Sequence, residues 1–228
     1  MRLMNFTEWV EQKKQIKTVY LVRSTSGGGK SYTARQILQN HGGGNEQDHI
    51  FTTDDFFIQD VLKERQALKA QGKPVDDDFY NELEKDIYRK NWRGDMLHRA
   101  HKWNFERFKQ AVQQGVNPVI VPNTFVSAWE LKPYVAEAEA NGYKVIIQES
   151  SSPWWKDHAH MLDNKDNHKA EIEEFANFLA GYHQGMAKKY GVKGGNEHGV
   201  PLDTIKSQLR KWQPNLTADE VMGRNPHN

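Results

Sequence analysis

Val19-Tyr20-Leu21-Val22-Arg23-Ser24-Thr25-Ser26-Gly27-Gly28-Gly29-Lys30-Ser31 runs from an apolar stretch into a glycine-rich turn that ends in Gly-Lys-Ser. The apolar stretch reads as a buried strand, and Ala34, Ile37 and Leu38 continue behind the turn at helical spacing. Strand, glycine turn and helix in that order make a cradle for phosphate. Glycines let successive backbone N–H groups converge on an anion, and the helix that follows presents its positive end to the same point. Ser26, Gly27, Gly28, Gly29, Lys30, Ser31 and Tyr32 are therefore read as the nucleotide-binding stretch. Lys30 supplies a charge for the transferring phosphate and Ser31 a hydroxyl for magnesium, which implies ATP or GTP with Mg2+. The usual pattern is G-x-x-x-x-G-K-[ST]; Ser24 stands at its first glycine, so this turn must accommodate a side chain there.

The rest of the chain sets bounds on what surrounds that loop. Its 228 residues suffice for one α/β core, and 31 basic against 30 acidic residues leave a formal charge of +1. No global field recruits a polyanion, so nucleic acid would need a local basic groove. With no cysteine, disulfides and thiolate metal sites are excluded. No long apolar run marks a signal peptide or a membrane span, so a cytoplasmic setting without a membrane partner is the expectation.

Further along, Phe6 to Lys14 read as a short amphipathic helix, and His49 to Thr53 as a second strand delivering Asp54-Asp55 at its carboxyl end. That edge is where α/β sheets place their chemistry. Helical patterns from about Gln59 to Gln114 break near Gly72-Lys73-Pro74, and Pro118 to Val121 form a buried strand ending at Asn123-Thr124. A helix from Ser127 to Ala140 and a strand from Tyr143 to Ile147 complete a parallel sheet covered on both faces. Ser150 to Gly199 is polar, with one clear helical pattern through Ile172, Phe175, Phe178 and Leu179, and reads as a lid. Pro201 to Trp212 reads as a late helix with a loose tail after Met222.

Four pieces around the loop carry a family resemblance. They are Thr53-Asp54-Asp55-Phe56-Phe57; Arg99 to Asn104; Pro118 to Thr124 joined to Ala128-Trp129-Glu130-Leu131-Lys132-Pro133-Tyr134-Val135; and His198-Gly199-Val200-Pro201. In this order the chain resembles the P-loop polynucleotide 5'-hydroxyl kinases, in particular kinase domains of the Nedd4-binding protein 2 type. The resemblance implies a three-layer P-loop kinase fold, mostly parallel, as one domain over residues 1–228: a core over 15–150, a helical lid insertion over 151–199, and a last helix and tail over 200–228. It implies transfer of the γ-phosphoryl group of ATP, with magnesium, to a 5'-hydroxyl end of RNA or DNA. Asp54 then matches the general base and a magnesium contact beside Ser31, and Lys30 the phosphate lysine. Asp55, His101, Asn123, Thr124 and Lys193 fall at acceptor-facing positions. Phe57 and Ile58 stand where phage-type members carry an arginine, so acceptor binding differs there.

Some residues keep two readings. Asp55 orients Asp54, holds magnesium through water, or caps a helix. Arg23 meets a phosphate or pairs with Asp54 or Glu130. Trp154 and Trp155 offer a stacking surface, or one of them is core. Trp129 and Tyr134 read as filling between helix and sheet. His158, His160, Asp163, Asp166 and His168 lack fixed ligand spacing and read as a solvated loop. The rival functions are a P-loop kinase of a small molecule or protein, and a nucleotide- or nucleic-acid-binding module without transfer.

Overall fold

The computed structural model describes residues 16–192 and 199–224. Its sheet has three parallel strands in the order β2-β1-β3, with β1 (Thr18–Arg23) at the centre, β2 (Val119–Asn123) on one side and β3 (Lys144–Glu149) on the other. Leu21 faces Val121 in β2 and Ile147 in β3. A parallel sheet covered on both faces must be apolar in both directions, and β1 obeys this: Val19, Leu21 and Val22 are fully buried.

The expected second strand is reduced to one residue. Glu46–His49 wind into a single turn, α2, which follows the loop helix α1 (Lys30–Asn40), and the Ile50 amide bonds the Glu46 carbonyl. Only Ile50 then bridges to Ile120 before a 3-10 turn takes over at Thr53–Phe57. The chain thus passes beside β2 and bends away too soon to form a ladder.

From that turn the chain enters α3 (Gln59–Ala70), α4 (Asp77–Asn91) and α5 (Leu97–Gln113), and returns as β2. The next helix, α6 (Ala128–Ala140), starts at a capping box in which Ser127 and Glu130 satisfy each other's backbone amides. That start fixes the helix phase. Leu131, Tyr134, Val135 and Ala138 face the sheet, and Trp129 is left 75 % exposed, so it does not fill the helix–sheet space as the sequence suggested. Tyr134 does, packed against Phe105, Phe108 and Phe125.

The described part of the polar last third holds more helix than its composition implies. It holds α7 (Pro153–His158), α8 (Lys169–Leu179), α9 (Gln184–Tyr190) and α10 (Leu202–Lys211), gathered on an apolar cluster of Trp155, Phe175, Phe178, Leu179, Ile205, Leu209 and Trp212. A final short helix, α11 (Ala218–Met222), returns Val221 to the main core with Val19, Val121 and Val135. The Phe6–Lys14 helix and Lys193 lie outside the described residues.

Candidate active site

The loop after β1 adopts the shape its glycines predict. Gly27 and Gly29 take positive φ values of 78° and 88°, which side chains disfavour, and α1 starts at Lys30. Its carbonyls are braced from outside: Trp154 Nε1 donates to Gly27 O at 3.0 Å, Ser152 Oγ to Gly28 O at 2.9 Å, and Thr33 N to Gly29 O at 3.1 Å. Peptide planarity turns the N–H groups of Gly29 and Lys30 away from these braces, so they line the hollow of the loop. Gln208 of α10 grips the near side, accepting from the Ser26 amide at 2.8 Å and donating to Ser26 Oγ at 3.2 Å.

Ser24 does not obstruct the cradle. Its side chain is fully buried with Oγ bonded to Thr25 O, and it fills the space where residue 28 would carry a side chain. A Cβ on Gly28 would lie 2.5 Å from Ser24 Oγ and 2.8 Å from the Trp155 ring. Loss of the first glycine is thus accommodated by the glycine at 28.

Lys30 folds back across the loop, donating to Thr25 O at 3.0 Å and Ser24 O at 3.4 Å. Burial pulls its ammonium down to about 8, and the negative charge of Asp54 opposes that fall. Ser31 stands exposed in the first turn of α1; Tyr32 is exposed too, its hydroxyl accepting from Gln36 Nε2.

The acidic side of the site hangs on the 3-10 turn. Thr52 Oγ1 accepts from the Asp54 amide, and Asn123 Oδ1, at the end of β2, accepts from the Thr53 amide at 3.1 Å. Asn123 is 4 % exposed with its oxygen engaged in this bond, so it bolts the turn to the sheet. Thr124 follows it, half-buried. Tyr88 of α4 donates its hydroxyl to Asp54 Oδ1 at 3.1 Å, and its pKa is raised by burial and then by the Asp54 charge. Asp55 accepts from Arg107 Nη1 of α5 at 2.8 Å; burial lifts its carboxyl to about 6 even against that cation. His101 stands exposed at the rim, its Nδ1 3.3 Å from Thr53 Oγ1, and its pKa is lowered, first by desolvation.

Other expected contacts fall elsewhere. Arg23 is fully buried and turned from the loop, over the Trp212 ring at 3.8 Å and 3.8 Å from Glu149, and Asp54 is not its partner. Trp154 and Trp155 are both buried, so neither offers a stacking surface. His158 bonds the Trp154 carbonyl and stacks on Phe175. Phe57 and Ile58 are core beside Tyr88 and Ala100. The guanidinium beside the aspartate pair comes instead from Arg107, 52 residues away in sequence.

Sequence reasoning missed Tyr88, Arg107, Gln208 and the serines of 150–152. Ser152-Pro153 carried a readable signal, a helix cap followed by proline at the first position. The others reach the site only through tertiary folding.

The donor set suits a nucleotide with magnesium: inward amides, a buried lysine, an exposed Ser31 hydroxyl and one nearby carboxylate. Among the described residues no cluster of three or more His, Cys, Asp or Glu could hold a metal alone, and magnesium commonly relies on substrate phosphates and water. No helix among them is long and apolar enough to cross a membrane.

Comparison with known proteins agrees with this geometry. The chain is 30 % identical over 179 residues to human NEDD4-binding protein 2, an alignment covering 76 % of this chain and 8 % of that protein. The chain therefore matches a small part of its relative. The model for the AAA domain family AAA_33 matches residues 19–182, from the first residues of β1 into the segment after α8, and the chain belongs to this family of P-loop, kinase-like domains.

Proposed function

We propose that the protein is an ATP- and magnesium-dependent phosphotransferase acting on 5'-hydroxyl ends of RNA or DNA, in a cytoplasmic setting. The observation that carries the reading is that Lys30 and Asp54 come to one edge of the sheet: Lys30 lies against Thr25, just after β1, and the Asp54 turn is bonded to Asn123, which pairs with Arg23 at the end of β1. Phosphoryl transfer asks for a base on the acceptor side and positive charge on the phosphate side, held in line.

The loop amides, Lys30 and Ser31 would hold ATP and magnesium, which when bound supply the phosphoryl group and further charge neutralisation. Asp54 accepts the proton of the attacking hydroxyl. Tyr88 and Thr52 fix the orientation of Asp54, and Arg107 holds Asp55 as its neighbour. Lys30 follows the charge on the moving phosphoryl group. A groove lined by Phe51 and Arg107, next to the aspartate turn, supports an acceptor that extends beyond its reacting end.

The test is transfer of labelled phosphate from ATP to a 5'-hydroxyl oligonucleotide. Wild type should label it, and Lys30→Ala and Asp54→Asn should each reduce labelling to background. A folded wild-type protein that labels no oligonucleotide rules the reading out.

A further inference from the structure

We propose that the groove along the open edge of the sheet, behind the Asp54–Asp55 turn, binds a nucleobase presented by a single strand. The proposal rests on the acceptor reading above for the identity of the strand, and extends it from the reacting end to the nucleotides behind it.

The groove holds about 480 Å³, within the ~300–1,000 Å³ usual for small-ligand clefts, and its walls come from α2, α3 and α5. On α5, Trp103, Arg107 and Gln110 follow one another at i, i+4 and i+7, so they form a single stripe running back from the aspartate turn. On α3, Gln59, Lys63 and Gln66 repeat that spacing. Both stripes line the cavity.

Their chemistry matches a base. The Arg107 guanidinium lies 4.5 Å from the Trp103 ring centre and 5.3 Å from that of Phe51, so this wall is rich in the π-bearing side chains with which unpaired bases pack. Glutamine amides both donate and accept, as base edges do, and an aliphatic ligand would leave them unpaired. Gln47 and Gln114 add two more side-chain amides to the lining. A free acid fits worse: Asp48 also lines the groove, and the charge of Arg107 is already matched by Asp55. Lys63 supplies a cation for the strand's backbone at the rim.

Fluorescence anisotropy with a 3'-labelled, 5'-hydroxyl oligonucleotide of about eight nucleotides tests this, together with copies carrying one abasic position each. In wild type, one abasic position near the 5' end should raise Kd about tenfold. Gln66→Ala and Gln110→Ala lie outside the transfer machinery. Each should weaken binding of the intact strand by a similar factor and abolish the effect of that abasic position, while transfer to a dinucleotide stays at the wild-type level. Equal affinity for intact and abasic strands, or unchanged Kd in both glutamine variants, overturns the proposal and leaves the groove to another occupant such as a polypeptide. Displacement of the strand by millimolar free nucleoside overturns the strand as the source of the base. Base-dependent and glutamine-dependent binding without any transfer upholds the groove and removes the kinase reading instead.

Discussion

Lys30 is the residue whose charge the nucleotide would feel first, and burial holds its pKa near 8. An arriving phosphate favours the ammonium form, so binding must draw protons toward Lys30 from solution. At pH 8 uptake should be about half a proton per nucleotide bound, falling toward none at pH 6, where the lysine is already charged. Calorimetry in two buffers of different ionisation enthalpy measures it, and Lys30→Met should abolish it. The stability linkage has the matching sign: a folded pKa below the unfolded value near 10.5 means that the unfolded chain binds more protons between these values. This contribution therefore rises with pH from about 8 to about 10.5.

Asp55 shows the opposite displacement. Its folded pKa of about 6 lies above the ordinary aspartate value of 3.8, so the native state binds more protons in that window, and its contribution to stability falls as pH climbs through it. Arg107 limits the rise by charge and by a hydrogen bond. Replacing Arg107 with alanine should move the acid limb of kcat/KM upward by roughly one unit or more, and Arg107→Lys should restore part of the shift. A pH–rate profile that does not move in Arg107→Ala would separate Asp55 from the reaction.

The phosphate loop and its brace form a packed unit of two elements, the turn after β1 and the segment from Ser150 to Trp155. Ser24 and Gly28 share one space within it, so Gly28→Ala overpacks the contact and should cost about 1–3 kcal/mol in urea unfolding, with weaker nucleotide binding. Ser24→Gly should rescue that variant in part only, because the Trp155 ring still lies 2.8 Å from the new Cβ. No rescue would show that the two residues do not share the space, and full rescue would show that the Trp155 ring gives way to the new Cβ. This unit also marks how far the sequence could be read. The strand, the turn and α1 follow from local pattern, and Ser127 with Glu130 announces the start of α6. The residue pattern of 49–53 suggests a strand, but the turns on either side leave only Ile50 to pair. Tyr88, Arg107 and Gln208 sit 34, 52 and 182 residues from the groups they hold, and no local spacing encodes such partners.

Arg23 ties these units together. It lies on the same face of β1 as Val19 and Leu21, since alternate residues of a strand share a face, and that face looks toward α6 and α11. The loop helix α1 packs on the other face with Val22, which is why Arg23 cannot reach a phosphate although it stands next to the loop in sequence. Its guanidinium donates to Phe125 O at 3.0 Å and Gln213 O at 2.6 Å, contacts Val126 O at 3.4 Å, and covers Trp212. One side chain therefore holds the central strand, the segment before α6 and the segment after α10. Burial lowers its pKa to about 10, with Glu149 and then Glu130 opposing, so it remains a cation at neutral pH. Arg23→Met keeps the bulk and removes the donors, stranding the buried carbonyls of Phe125 and Gln213; the loss should be about 2–4 kcal/mol in denaturant unfolding. Arg23→Lys should fall between, because an ammonium cannot serve all these carbonyls and stack on the indole as a guanidinium does. Since α10 also carries Gln208 to the Ser26 amide, Arg23→Met should weaken nucleotide binding as well as stability. Gln208→Ala should weaken binding with little loss of stability, and that contrast separates anchoring of the C-terminal segment from direct support of the loop.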